Sequence, residues 1–317
     1  MRKALALLLV MLFIISGIGM SYAKDKVIFA EFSWESINIH NWILKYIIES
    51  IYDNTSVEIL QVESAPGQIG ITNGDIEIIT EIWLSNRLIW FNEENDKTIV
   101  NAGSVFSTPA QQGWFVPKYI NDKIKTIDDV IKNIEMFSGR NTGLINAPSG
   151  WKSHEITLKR AESYGLFGVN IIDPGSGTGL DLAILDNYNQ KLPFIAYYWS
   201  PTFLMGIVDL VLIEEAPHDP EIWHDNSTFK CSYPPDIVNK LINKKFHDDP
   251  KNQHIVDLVK KYQISAEVTS SLLAERREMD LPWNVFIKQY MLKNPEIWKH
   301  LVDNEENVSK VVRFLEK

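Results

Sequence analysis

Apolar side chains alternate weakly over residues 26–31, a run rich in Val, Ile and Phe, and the pattern predicts a strand. Ser33-Trp34-Glu35-Ser36 interrupts it, and residues 37–52 then carry apolar positions at helical spacing. A strand is predicted over 56–62 and another over 74–83, following a Gly-Asp turn. Strands that alternate with helices argue for α/β architecture, with a mainly parallel sheet covered on both faces. In such sheets ligands gather at the carboxyl ends of the strands.

A second series opens near Gly113-Trp114-Phe115-Val116-Pro117. Thr126 and Asp129 are spaced as a capping box at the start of a helix. Residues 141–146 read as a short strand that ends in Ala147-Pro148-Ser149-Gly150-Trp151, and residues 152–164 continue as an amphipathic helix. Gly175-Ser176-Gly177-Thr178-Gly179 follows Asp173-Pro174 and reads as a turn and helix cap. Residues 192–199 form the next predicted strand, closed by Ser200-Pro201, and 209–213 carry the chain onward. From 236 to the end the pattern is helical and polar-faced, with no sign of further sheet. Two lobes follow, the first from 24–112 and 206–317 and the second from 113–205. Short crossings near 107–117 and 200–209 would act as a two-segment hinge.

Met1-Arg2-Lys3 puts positive charge ahead of an apolar run over residues 4–18, and Ser21-Tyr22-Ala23 supplies small residues for a cut after Ala23. Residues 1–23 therefore read as a cleavable signal peptide, too short in its apolar part to span a bilayer. No cysteine lies near the cut to accept a lipid, so the expected product is a soluble periplasmic protein. The only cysteine is Cys231, so no intramolecular disulfide can form and packing must supply the stability. The net charge is −10, and loss of Arg2 and Lys3 makes it −12, which disfavours nucleic acid as a partner.

Ten tryptophans stand out, because several fall in loops rather than on apolar stripes. Trp83, Trp151 and Trp199 each lie at or just beyond the carboxyl end of a predicted strand, where they would converge on a cleft. Aromatic faces attract a quaternary ammonium, at about 2 kcal/mol or more per ring once desolvated. The helix after Trp151 offers the backbone N–H groups of Lys152 and Ser153 to an anion, with the positive end of the helix dipole behind them. Arg87 is a candidate bidentate partner for a carboxylate. Ser33 and Trp34, in the first strand-to-helix loop, are further wall candidates, while Trp90 and Trp114 fit core or hinge packing.

Gly74-Asp75-Ile76-Glu77 with Glu81-Ile82-Trp83, Gln112-Gly113-Trp114-Phe115-Val116-Pro117-Lys118, Ala147-Pro148-Ser149-Gly150-Trp151 and Ala196-Tyr197-Tyr198-Trp199-Ser200-Pro201-Thr202 occur in the order and spacing of one family. The chain, from about residue 27 through Ser232-Tyr233-Pro234-Pro235 to its end, resembles the glycine betaine/proline betaine substrate-binding proteins of ABC transporters. That resemblance implies a type II periplasmic-binding fold, a Trp box on Trp83, Trp151 and Trp199, and an ABC permease as partner. It also implies a monomer that needs no cofactor. Lys152 and Ser153 stand where a Gly-Cys pair is often found, and Arg87 where some members place a histidine. Dimethylsulfoniopropionate, carnitine and choline thus stay open beside glycine betaine, as does delivery to a sensor instead of a permease.

Enzyme signatures are lacking: there is no G-x-S-x-G elbow, no H-E-x-x-H pair and no P-loop. The Gly-rich run at 175–179 does not have dinucleotide-loop spacing, and the His218-Asp219 and His224-Asp225 pairs read as solvated loop residues rather than metal ligands.

Overall fold

A computed structural model describes residues 25–107, 110–224, 227–234 and 238–317. The expected signal peptide, residues 1–23, lies outside the described residues. The polypeptide forms two five-stranded sheets, each packed with helices, and these are the two lobes.

In the first lobe β1 (Asp25–Glu31) is followed by α1 (Ser36–Ile51), β2 (Thr55–Gln61), α2 (Ser64–Asn73), β3 (Ile78–Trp83), a 3-10 turn at Leu84–Arg87, α3 (Leu88–Glu94) and β4 (Ile99–Ser104). β1 pairs in parallel with β2 and β3, and its Phe29 and Ala30 are buried on opposite faces of the sheet, while α1 contributes Ile37, Ile43, Leu44, Ile47 and Ile48 to the core. The predicted strand over 74–83 begins later, at Ile78. Gly74 adopts φ 86° as the left-handed C-cap of α2, so residues 74–77 belong to the helix end and its turn.

The second lobe carries β5 (Gln111–Pro117), α4 (Ile127–Lys132), β6 (Leu144–Ile145), α5 (Lys152–Ser163), β7 (Ile171–Ile172), α6 (Gly177–Asn189), β8 (Ile195–Ser200) and β9 (Leu210–Leu212). Thr126 and Asp129 form the capping box of α4. Ser176 caps α6 by accepting the Gly179 N–H at 3.0 Å, with Gly175 at φ 77° ahead of it.

The chain then rejoins the first lobe as β10 (Val238–Asn243), followed by α7 (Lys244–Asp248), α8 (Gln253–Lys261), α9 (Ala266–Met279), α10 (Trp283–Lys293) and α11 (Glu305–Leu315). Strand order is β2-β1-β3-β10-β4 in the first sheet and β7-β6-β8-β5-β9 in the second. In each sheet four strands run the same way and one runs against them. β10 runs against β3 and β4, and β5 runs against β8 and β9, because these strands enter from the opposite lobe.

The expected return to the first lobe at 206 also comes later. Leu210–Leu212 pairs with β5 of the second sheet, and the loop beyond stays with that lobe through the Ile213 N–H on Trp114 O and the Glu214 N–H on Lys125 O. β10 itself was not expected, since Asn239, Lys240 and Asn243 break its apolar pattern although all three are buried. Lys240 reaches the carbonyl of Tyr262, and burial pushes its ammonium down to about 8.

Candidate functional site

Four loops of the fold meet between the lobes. Trp83 ends β3 and Trp34 follows β1, both in the first lobe; Trp151 is the N-cap of α5 and Trp199 lies near the end of β8, both in the second. Their indoles line one cavity between the lobes. Trp151 meets Trp34 edge to face, with ring centroids 5.2 Å apart at 87°, and meets Trp199 at 5.2 Å and 70°. Trp34, Trp151 and Trp199 are 6–7% exposed while still bordering the cavity, so a ligand there is nearly desolvated. An edge-to-face pair covers one face of one ring and leaves its opposite face for a cation.

Backbone and side-chain bonds fix the indoles. The Trp151 Nε1–H donates to Ser33 Oγ at 2.9 Å, a bond from the second lobe to the first, and the Ser33 hydroxyl is in turn 3.4 Å from the Glu63 carboxylate. The Ser64 hydroxyl donates to Gly150 O at 3.2 Å, a second bond across the cleft. The Trp83 Nε1–H donates to the buried Glu81 at 3.2 Å, and Glu81 pairs with His40 at 3.3 Å. The lobes therefore touch beside the cavity, where Ser33 and Ser64 meet Trp151 and Gly150.

Arg87, Lys152 and Ser153 line the same cavity. Arg87 is 7% exposed; it donates to Ser64 Oγ at 2.8 Å and to the Gln68 side chain, which aim its guanidinium along the wall. No side chain caps the N-terminus of α5, where Lys152 and Ser153 open the helix. The lining contains two basic side chains and, among the described residues, no carboxylate. Such a wall suits a ligand that carries its own negative group beside a cationic one.

Ser33 differs from its expected place. It borders the adjacent crevice rather than the cavity and acts from behind, through Trp151. Trp114 is fully buried beside Arg160, which fits a packing role, whereas Trp90 is half-buried: its Nε1–H reaches Thr72 Oγ1 at 3.3 Å and its side chain borders a neighbouring crevice with Arg87, Trp151 and Lys152.

Sequence reasoning missed Tyr197, Asn86, Ser64 and Ile82, which also line the cavity. Tyr197 was findable, because a residue two positions before Trp199 on a strand shares its face. Its hydroxyl donates to Gln112 at 2.8 Å, which also accepts from Asn86 at 3.1 Å and so ties both lobes to the hinge strand β5. Tyr198, on the other face, donates to Asp181 at 2.6 Å. Burial pushes the Asp181 carboxyl up to about 7, against that hydrogen bond. Glu35, in the same crevice, is also raised by burial, opposed by Arg276 and Arg277.

Residues 25–280 match the model of the OpuAC family, described as the substrate-binding domain of an ABC-type glycine betaine transport system. No curated protein matches the chain by sequence. Among solved structures, the glycine/betaine/L-proline-binding protein ProX of Borrelia burgdorferi superposes with a TM-score of 0.74 at 17% identity, over 90% of this chain and 100% of that one. An ABC-transporter choline-binding protein in complex with choline gives 0.75 at 14%, over 92% and 98%. Lactococcal OpuAC, closed around glycine betaine, gives 0.70 at 14%, over 88% and 100%. At these identities the likeness establishes the type II periplasmic-binding fold. The family match covers most of the polypeptide, and this chain belongs to the substrate-binding domains of ABC-type glycine betaine transport systems.

Proposed function

We propose that the protein captures glycine betaine, or a close carboxylate-bearing relative, in the interlobe cavity and hands it to the permease of an ABC importer. Residues 1–23 direct it to the periplasm in this reading, and one chain holds a complete site, so a monomer suffices. The carrying observation is the combination of four indoles with Arg87 and Lys152 around a lining that holds no carboxylate. Indole faces take the trimethylammonium group by the ring quadrupole. Arg87 and the amides opening α5 take the carboxylate, each charge-assisted contact contributing about 1.5–3 kcal/mol. A cation with no acid group gains only the first of these and faces the Arg87 guanidinium, the Lys152 ammonium being paired with Glu155 at 2.7 Å.

Calorimetric titration tests the reading with glycine betaine, choline and glycine. Glycine betaine is expected to bind with a micromolar midpoint, choline at least about tenfold more weakly and glycine not at all. Arg87→Ala should weaken glycine betaine more than choline. Absence of heat for every methylated ammonium up to millimolar concentration overturns the proposal. Tighter binding of choline than of glycine betaine replaces the zwitterion with a simple cation.

A further inference from the structure

Two glycines of the second lobe lie where loops of the first press upon it. A Cβ built on Gly177 would stand 2.4 Å from the Ser33 carbonyl oxygen, 3.2 Å from its carbonyl carbon and 3.3 Å from Trp151 Cζ2. Contacts below 3.0 Å are essentially never seen for real Cβ atoms, so something must shift. The obstacle is backbone. Ser33 sits between Phe32 and Trp34, both buried, and cannot recede without carrying the Trp34 ring with it.

Nothing within its own lobe requires glycine on backbone grounds. Gly177 is the first residue of α6 and lies outside the left-handed region, so alanine fits its backbone and would favour the helix. The residue that best suits the helix is thus the one that the opposite lobe forbids. Gly150 offers a comparison: its Cβ would meet Glu63 Cγ and Oε2 at 2.8 Å, but that carboxylate ends a side chain that can swing aside.

We infer that Gly177 is a positioning residue for the ligand cavity, whose missing side chain lets the Ser33–Trp34 loop seat against α6 and sets the Trp34–Trp151 corner. It acts through Ser33 and Trp151. A bulkier residue keeps the lobes apart, lengthens the Trp151-to-Ser33 bond and leaves the cavity open to water. Ligand affinity then falls by the fraction of molecules able to close. Affinity as a readout rests on the binding reading above, whereas the separation of the lobes does not.

The test compares Gly177→Ala and Gly150→Ala with a control, Gly206→Ala, whose added carbon meets nothing within 4 Å. Three quantities are measured: calorimetric affinity for glycine betaine, melting temperature without ligand, and the interlobe distance distribution between spin labels. The labels sit on cysteines replacing the exposed Ile69 and Phe167, one in each lobe. Expected for Gly177→Ala are a loss of at least about tenfold in affinity, an unliganded melting temperature at or above wild type, and longer distances. Gly150→Ala should lose less and Gly206→Ala nothing. Wild-type affinity and distances in Gly177→Ala overturn the inference. So does an unliganded melting temperature that falls along with affinity, since it marks a local packing role. If wild-type protein binds no betaine, the functional reading fails, and the unliganded distance distributions alone decide for or against Gly177.

Discussion

Replacing Trp151 by alanine removes three separable contributions. Its face is one wall of the cavity, worth about 2 kcal/mol to a desolvated quaternary ammonium. Its Nε1–H bond to Ser33 Oγ, at 2.9 Å, crosses the lobes and adds about 1 kcal/mol to the closed form. Its edge-to-face contact with Trp34, at 5.2 Å, also crosses the lobes and adds about 1 kcal/mol. The contact with Trp199 lies within one lobe, persists when the lobes part and is not counted. The total of about 4 kcal/mol corresponds to nearly a thousandfold loss of affinity. Trp151→Phe keeps a ring but loses the N–H, so it should lose only about fivefold. Calorimetry of the three proteins measures both steps. A Trp151→Ala affinity within threefold of wild type refutes the placement of the ligand, and equal losses in the two variants refute the division between ring and donor.

Two further expectations concern stability. Asp181 has a folded pKa of about 7 against 3.8, so the native state binds an extra proton between those values; its contribution is present below pH 4 and lost as pH rises through 7. Asp181→Asn removes a dependence of up to roughly 4 kcal/mol, and melting temperatures from pH 5 to 8.5 should fall less steeply than in wild type; parallel slopes would remove Asp181 as the cause. Arg160 is fully buried, with its guanidinium 4.7 Å from the ring centroids of Trp114 and Tyr233, and it donates to Phe229 O and Cys231 O and pairs with Glu215. Arg160→Met should cost about 3–5 kcal/mol in urea unfolding because Glu215 is left buried and unpaired; a cost below 1 kcal/mol would show that water or a rearranged loop satisfies it.

The elements around the site were legible because local chemistry fixes them. Capping at Thr126 and Ser176 and the loop-then-helix at Trp151 each depend on residues a few positions apart. The convergence of Trp83, Trp151 and Trp199 also followed from the rule that ligands meet strand ends. What sequence concealed are features whose cause is distant. β10 contains Lys240, which is tolerable inside only because the Tyr262 carbonyl waits for it. The late return to the first lobe depends on Leu210–Leu212 finding β5. Ser33 looked like a wall, yet its hydroxyl faces an indole nitrogen supplied by residue 151. Arg160 was invisible as a site of interest, since the rings that surround it come from β5, its own helix and the loop before β10.

The place of β10 between β3 and β4 has a consequence for how the molecule is made. Val238 pairs with Trp83 and Asn239 with Ser104, so the N-terminal sheet lacks an interior member until the ribosome has read past residue 243. Its partners wait with bare edges, whereas the middle lobe, whose strands end at Leu212, can already be complete. Synthesis in order thus yields a finished middle and an unfinished beginning, and pairings so distant along the chain are slow to form. An emerging polypeptide held loose in this way stays threadable until residue 243 has appeared.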